Sequence, residues 1–187
     1  MYKKFIIILA TIGLIVAIET PTYKLLEKKG NIEIRVYAPM VIAKTIIKES
    51  YDSALNKGFR RIANYIFGGN EKEMSISMTA PVISKKSISS PGLYEVLFVM
   101  PKKYSLEDLP KPNITSVRLE KKNLGKVICI KFGGWATEKK VERFQIDLIK
   151  SISDMGLETK GDFLVAQYNS PWGIHPFRKN EILIQIK

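Results

Sequence analysis

Histidine and cysteine are almost missing from this chain: its 187 residues hold one of each, His175 and Cys129. A single thiol closes no intramolecular disulfide, so the fold holds by burial in whatever redox compartment it occupies. There is no Cys or His cluster with zinc-ligand spacing. His175 and Cys129 lie far apart in different predicted contexts, which argues against a catalytic dyad. Glycine loops that cradle phosphate are absent too. Gly68 and Gly69 follow a predicted helix, and Gly133 and Gly134 follow a strand without the other glycines of the dinucleotide fingerprint. Acidic residues are few, 18 against 30 Lys and Arg, for a net charge of +12. Glu107 with Asp108, and Glu71 with Glu73, sit in polar loop contexts and read as solvated surface rather than acid–base pairs. Nothing in this inventory calls for an enzyme.

The positive charge favours acidic partners such as phosphates, carboxylates or an anionic membrane surface. Nucleic acid is not expected among them. Lysines are dispersed, as at Lys85 and Lys86, Lys102 and Lys103, and Lys121 and Lys122, without interleaved aromatics on which bases would stack. What remains, 45% hydrophobic residues with 12 Gly and 9 Pro, is the composition of one ordinary globular domain.

Long apolar runs are confined to the amino terminus. Lys3 and Lys4 precede an uninterrupted apolar stretch, residues 5–18, that ends at Glu19, Thr20 and Pro21. As a helix it would rise about 21 Å, short of the roughly 30 Å hydrocarbon core, which suits a signal h-region better than a full span. No small-x-small triplet marks a cleavage site, since Ala17 follows Ile15 and Thr20 follows Ile18 at that spacing. Residues 1–20 therefore read as either a signal peptide or an uncleaved signal anchor. The expected location is extracytoplasmic, membrane-associated through this segment or secreted or periplasmic after its removal. Residues 21–187 read as a single domain.

That domain reads as two similar halves. Ile32, Ile34 and Val36 alternate with Glu33, Arg35 and Tyr37, and a second strand covers residues 41–47. A helix follows from Ser50 as N-cap, with Tyr51, Leu55, Phe59, Ile62 and Ile66 as its buried stripe, ended by Gly68 and Gly69. Extended segments at 74–77, 81–84 and 94–100 complete the half. The second half offers strands at 116–120 and 127–132 and a helix capped by Thr137. The stripe of that helix is Val141, Phe144, Leu148, Ile152 and Met155, and strands at 163–168 and 181–186 follow. Strand-strand-helix-strand-strand occurring twice predicts an α+β fold in which an antiparallel sheet curls into a distorted barrel flanked by two helices.

Four groupings in order carry a family resemblance: Ile32-Glu33-Ile34-Arg35-Val36-Tyr37, Ser77-Met78-Thr79-Ala80-Pro81-Val82, Phe132-Gly133-Gly134, and Pro171-Trp172 with Arg178-Lys179-Asn180-Glu181. Together with residues 94–101 and Leu109-Pro110-Lys111-Pro112, they resemble the SOUL haem-binding protein family over residues 23–187. The resemblance implies a distorted barrel with two helices, similar also to bacterial effector-binding domains. It implies haem or another tetrapyrrole as ligand, held in an exposed hydrophobic cleft lined by the first helix and the loop between the last two strands. Carried onto this sequence, the cleft positions are Asn56, Phe59, Arg60 and Ala63 on the helix, and His175, Phe177 and Arg178 in the loop.

Haem is a flat apolar disc with two carboxylates on one edge, so its site needs apolar cover, cations at that edge and optionally an axial donor. Phe59 and Ala63 would give cover. Arg60 and Arg178, with Lys179 beside it, would meet the propionates. His175 is the candidate iron ligand, with Met78 as a second donor, while Trp172 and Phe177 read as cleft wall. The expected function is reversible haem binding by a non-enzymatic carrier or buffer. The alternative is a structural or interaction protein using the same barrel for another amphipathic ligand or a membrane partner.

Overall fold

The computed structural model describes residues 18–169 and 178–187. The apolar run at 5–17 and the positions of Trp172, His175 and Phe177 lie outside them. Eleven elements follow one another: β1 (Tyr23–Lys29), β2 (Ile32–Tyr37), β3 (Met40–Lys48), α1 (Tyr51–Ile66), β4 (Val82–Lys86), β5 (Leu93–Val99), β6 (Val117–Lys122), β7 (Lys126–Gly133), α2 (Glu138–Asp154), β8 (Thr159–Gln167) and β9 (Lys179–Ile186). No helix among the described residues is long and apolar enough to cross a membrane.

All nine strands join one antiparallel sheet in the order β1-β2-β7-β9-β8-β4-β5-β3-β6. With β1 set aside, exchanging β2–β5 for β6–β9 in turn gives the same order reversed, with the β4–β8 pair at its centre. The sheet is open, where a barrel was expected. Closure would pair the two ends of that order, β2 and β6, but β1 occupies the free edge of β2. This edge strand was not anticipated, because Leu25 and Leu26 sit among lysines and every one of its residues is exposed.

The sheet nevertheless curls. Ile42 of β3 and Val127 of β7 stand at opposite ends of the strand order, yet they share one inner cluster with Leu97, Cys129, Leu164 and Leu183. The outer surface carries the helices: α1 packs over β3 and β5 with Ile62, Tyr65 and Ile66, and α2 packs over β7 and β9 with Val141, Leu148 and Ile152. Both sheet faces are therefore buried, and the polar positions of β2 are buried with them.

Both helices start where their caps predict, although the Ser50 side chain makes no capping bond, while the Thr137 hydroxyl accepts from Lys140 N at 3.4 Å. The buried stripe of α1 is rotated from the expected one. Ala54 and Gly58 face the sheet, and Leu55 and Phe59 are only half-buried. Gly58 explains the rotation, since a Cβ there would lie 2.5 Å from Val96 Cγ2; the missing side chain lets the helix settle directly on β5. In α2, Phe144 and Met155 are likewise half-buried at the margin. Residues 74–77 form no strand. Only an isolated bridge joins Ser75 to Phe67, because Asn70 ties the segment to the end of α1 by donating to Tyr65 O and Met74 O.

Candidate functional site

Turning Leu55 and Phe59 away from the core opens a cleft of about 230 Å³ beside the first half of α1. Leu55, Phe59, Val82 and Trp135 give it apolar walls, and Asn56, Gln167, Asn169 and Arg178 sit at its margin. Local chemistry places each wall. Phe59 leans on Phe98 of β5 with ring centroids 5.3 Å apart. Trp135 follows the turn at Gly134, whose φ of +77° suits glycine. The carbonyls on either side of the tryptophan are pinned: buried Asn180 Nδ2 donates to Gly134 O at 2.7 Å, and the Tyr51 hydroxyl donates to Ala136 O at 3.0 Å. Trp135 is thereby presented half-exposed, with the Arg178 guanidinium 3.8 Å from its ring centroid. Arg178 itself is buried, at the point where β9 begins.

Such a site can cover a flat apolar molecule with Leu55, Phe59 and Trp135 while Arg178 meets an anionic edge. Its volume is below the 300–1,000 Å³ usual for an engulfing ligand pocket, so a large ligand would be gripped along one side with the rest projecting. The described lining contains no His, Cys or Met. Its phenol, Tyr51, is pushed above the ordinary tyrosine range by burial and stays protonated.

Of the residues expected at the site, the structure brings Asn56, Phe59 and Arg178 together. Arg60 is not with them. It faces the neighbouring groove with Lys57, Arg61 and Asn64, on the other side of Asn56. Ala63 is 9% exposed and packs inward, because the rotation set by Gly58 carries that position under the helix. Met78 is outside the lining, and His175 and Phe177 lie outside the described residues. Sequence reasoning missed Trp135, whose signal was an aromatic directly after a Gly-Gly turn, and misassigned Leu55 to the core.

A second concentration of charge lies on the inner face. Arg35 Nη1 and Nη2 each donate to a Glu181 carboxylate oxygen at 2.9 Å, its Nε donates to Glu33 Oε2 at 2.8 Å, and Nη1 also reaches the Tyr37 hydroxyl at 2.9 Å. Tyr168 donates to Glu181 Oε2 at 2.7 Å, and Lys131 pairs with Glu33. Burial alone would raise the Glu181 carboxyl, but the bidentate arginine outweighs it and holds Glu181 below the usual carboxylate range. Glu33 is lowered in the same way, with Lys131 and Arg35 offsetting its burial. Burial pushes the Cys129 thiol up to about 12, so it stays protonated and unreactive. Among the described residues no buried side-chain polar atom lacks a partner. This network is closed on itself and offers neither a base poised near neutrality nor an activated thiol.

Comparison with known proteins covers nearly the whole chain. The family model described as SOUL heme-binding protein matches residues 18–185. Heme-binding protein 2 of Mus musculus is 31% identical over 179 residues, covering 90% of this chain and 87% of the relative. Among solved structures, the EcmrR C-terminal domain superposes with a TM-score of 0.63 at 10% identity, covering 88% of this chain and 98% of that one. A structure described as a hydrolase from Listeria innocua gives 0.60 at 11% identity, covering 86% and 94%. At such identities the two structures speak to the fold alone.

Proposed function

Because this chain belongs to the SOUL heme-binding protein family, we propose that it binds haem reversibly in the α1 cleft, as a carrier or buffer without catalysis of its own. The observation that supports this reading most is the pairing of an apolar wall, Leu55, Phe59 and Trp135, with Arg178 stacked over the tryptophan at the cleft edge. Haem brings a flat apolar face and two anionic propionates, which are the complements of those groups. Apolar burial would carry the affinity, Arg178 would hold the propionate edge, and His175 would be the donor offered to iron. The palindromic strand order fits two related halves, and the apolar leader fits an extracytoplasmic place for the domain.

Titration of haemin into the full chain, followed by the Soret band, tests the reading. Saturable one-to-one binding is expected. Arg178→Ala should weaken it about tenfold, the loss of one charge-assisted contact. His175→Ala should change the spectrum more than the affinity. Absence of saturable binding would leave the second reading, an interaction protein whose cleft takes another amphipathic ligand, which the small cleft volume favours.

A further inference from the structure

The strand order that maps one half of the sheet onto the other also maps α1 onto α2, and the loop between β8 and β9 onto the loop between β4 and β5. The counterpart of the α1 cleft should then lie beside the first half of α2, opposite the β4–β5 loop. A cavity of about 320 Å³ is found there, within the range of small-molecule sites. Tyr51 forms a wall of both, so the two stand back to back.

Their linings differ at matched positions. Tyr51 and Leu55 are the first and fifth residues of α1, and Glu138 and Glu142 are the first and fifth of α2. Four residues apart, the two glutamates stand one above the other on one helix face. Lys86 Nζ meets Glu138 at 2.9 Å and the Tyr94 hydroxyl donates to the same oxygen at 3.2 Å. Glu142 is exposed and makes no ion pair among the described residues. Beneath this mouth, Val141, Phe163 and Val165 form an apolar floor. Two carboxylates against one ammonium make the lining acidic in a chain whose net charge is +12. A dicarboxylate such as haem would meet like charge here, whereas an ammonium on an apolar body would meet Glu142, which Lys86 attracts without a direct ion pair, above a greasy floor.

We infer that the cavity beside α2, bounded by Glu138, Glu142, Lys86 and the floor of Val141, Phe163 and Val165, is a second site that binds small amphipathic amines. It is independent of the α1 cleft in ligand charge. The ammonium pairs with Glu142, and the apolar body displaces water from the floor.

Dansylcadaverine, a naphthalene body on a primary ammonium, tests this when titrated into the full chain and followed by its fluorescence blue shift, with dansylglycine as the carboxylate counterpart. Saturable binding of the amine, with dansylglycine at least about tenfold weaker, is expected. Glu142→Gln, an exposed change that should leave thermal unfolding in place, should weaken the amine about tenfold. Leu55→Glu, in the other cleft, should leave it unchanged. Equal binding of dansylglycine, indifference to Glu142→Gln, loss through Leu55→Glu, or no saturable binding by the folded chain would each overturn the inference. Haemin does not enter the assay, so failure of the haem reading leaves this result intact.

Discussion

The clefts beside α1 and α2 occupy matching places in a sheet whose strand order reads the same from both ends once β1 is removed, yet their charge differs: Arg178 is balanced by Asp52 in the first, and Glu138 and Glu142 outnumber Lys86 in the second. One has Leu55, Phe59 and Trp135 with an arginine at its edge; the other has Glu138 and Glu142 over Val141 and Phe163. The helix positions that differ most are the first and fifth: in α1 Tyr51 is buried and Leu55 half-buried, whereas in α2 Glu138 is half-buried and Glu142 exposed. Residues three further on, Ala54 and Val141, are buried in both helices and keep the helices seated. The architecture thus fixes where a ligand lies, and a few side chains at the starts of the helices decide its charge. The inner cluster, which holds the sheet in its curl, contributes no residue to either cleft.

The largest effect would break both clefts together. Arg35→Met leaves Glu181, which is fully buried, without its bidentate partner and strips Glu33 of one of its two cations. Removing one partner of such a buried group costs about 3–5 kcal/mol. Urea unfolding should show that loss, with haemin and amine binding failing along the same transition. If one cleft survived while the other was lost, the inner face would not be their common support. Arg35→Met combined with Glu181→Met should recover much of the stability, since a matched apolar replacement removes the stranded charge.

The next effect exchanges the chemistry of one cleft. Leu55→Glu places at the fifth position of α1 the residue type that α2 carries there, opposing the propionates at the cleft wall. Like-charge juxtaposition costs several kcal/mol, so haemin affinity should fall on the order of a hundredfold. Stability should barely move, because Leu55 is half-buried and a carboxylate there keeps access to water. Isothermal titration with haemin, beside a melting curve, checks both. Unchanged haemin affinity would show that Leu55 does not line the haem site.

Nearly all of the element order was legible in the sequence, because periodicity, Ser50 and Thr137 as caps and the glycine stops are local signals. What escaped were consequences of tertiary packing. The burial of Glu33 and Arg35 needs Glu181, 146 residues further along the chain, to pair with them. The edge strand β1 carries no alternating pattern, since both its faces meet water. Of the residues expected at the site, Asn56, Phe59 and Arg178 line one cleft, while Arg60 faces the next groove and Ala63 packs inward, because the roll of α1 depends on Gly58 meeting Val96, a contact no spacing encodes. Trp135 was overlooked because the cleft brings it to α1 from the opposite half of the chain.

The smallest effect sharpens the contrast from the α2 side. Lys86 competes with any bound ammonium for Glu138, and its hydrogen bond is the main reason that carboxyl lies below the ordinary range. In Lys86→Met the competitor is gone, so dansylcadaverine should bind about threefold tighter at neutral pH, while the exposed pair itself contributes under about 1 kcal/mol to folding. The pH dependence then moves in a defined direction. A carboxyl whose folded value is depressed stays charged until pH falls through that lower value; without Lys86 it protonates at a higher pH. The acid limb of amine binding should therefore shift upward in Lys86→Met even as affinity at neutrality rises. An affinity that fell at neutral pH would show that Lys86 helps to build the cavity, and an unmoved acid limb would show that Glu138 takes no part in holding the amine.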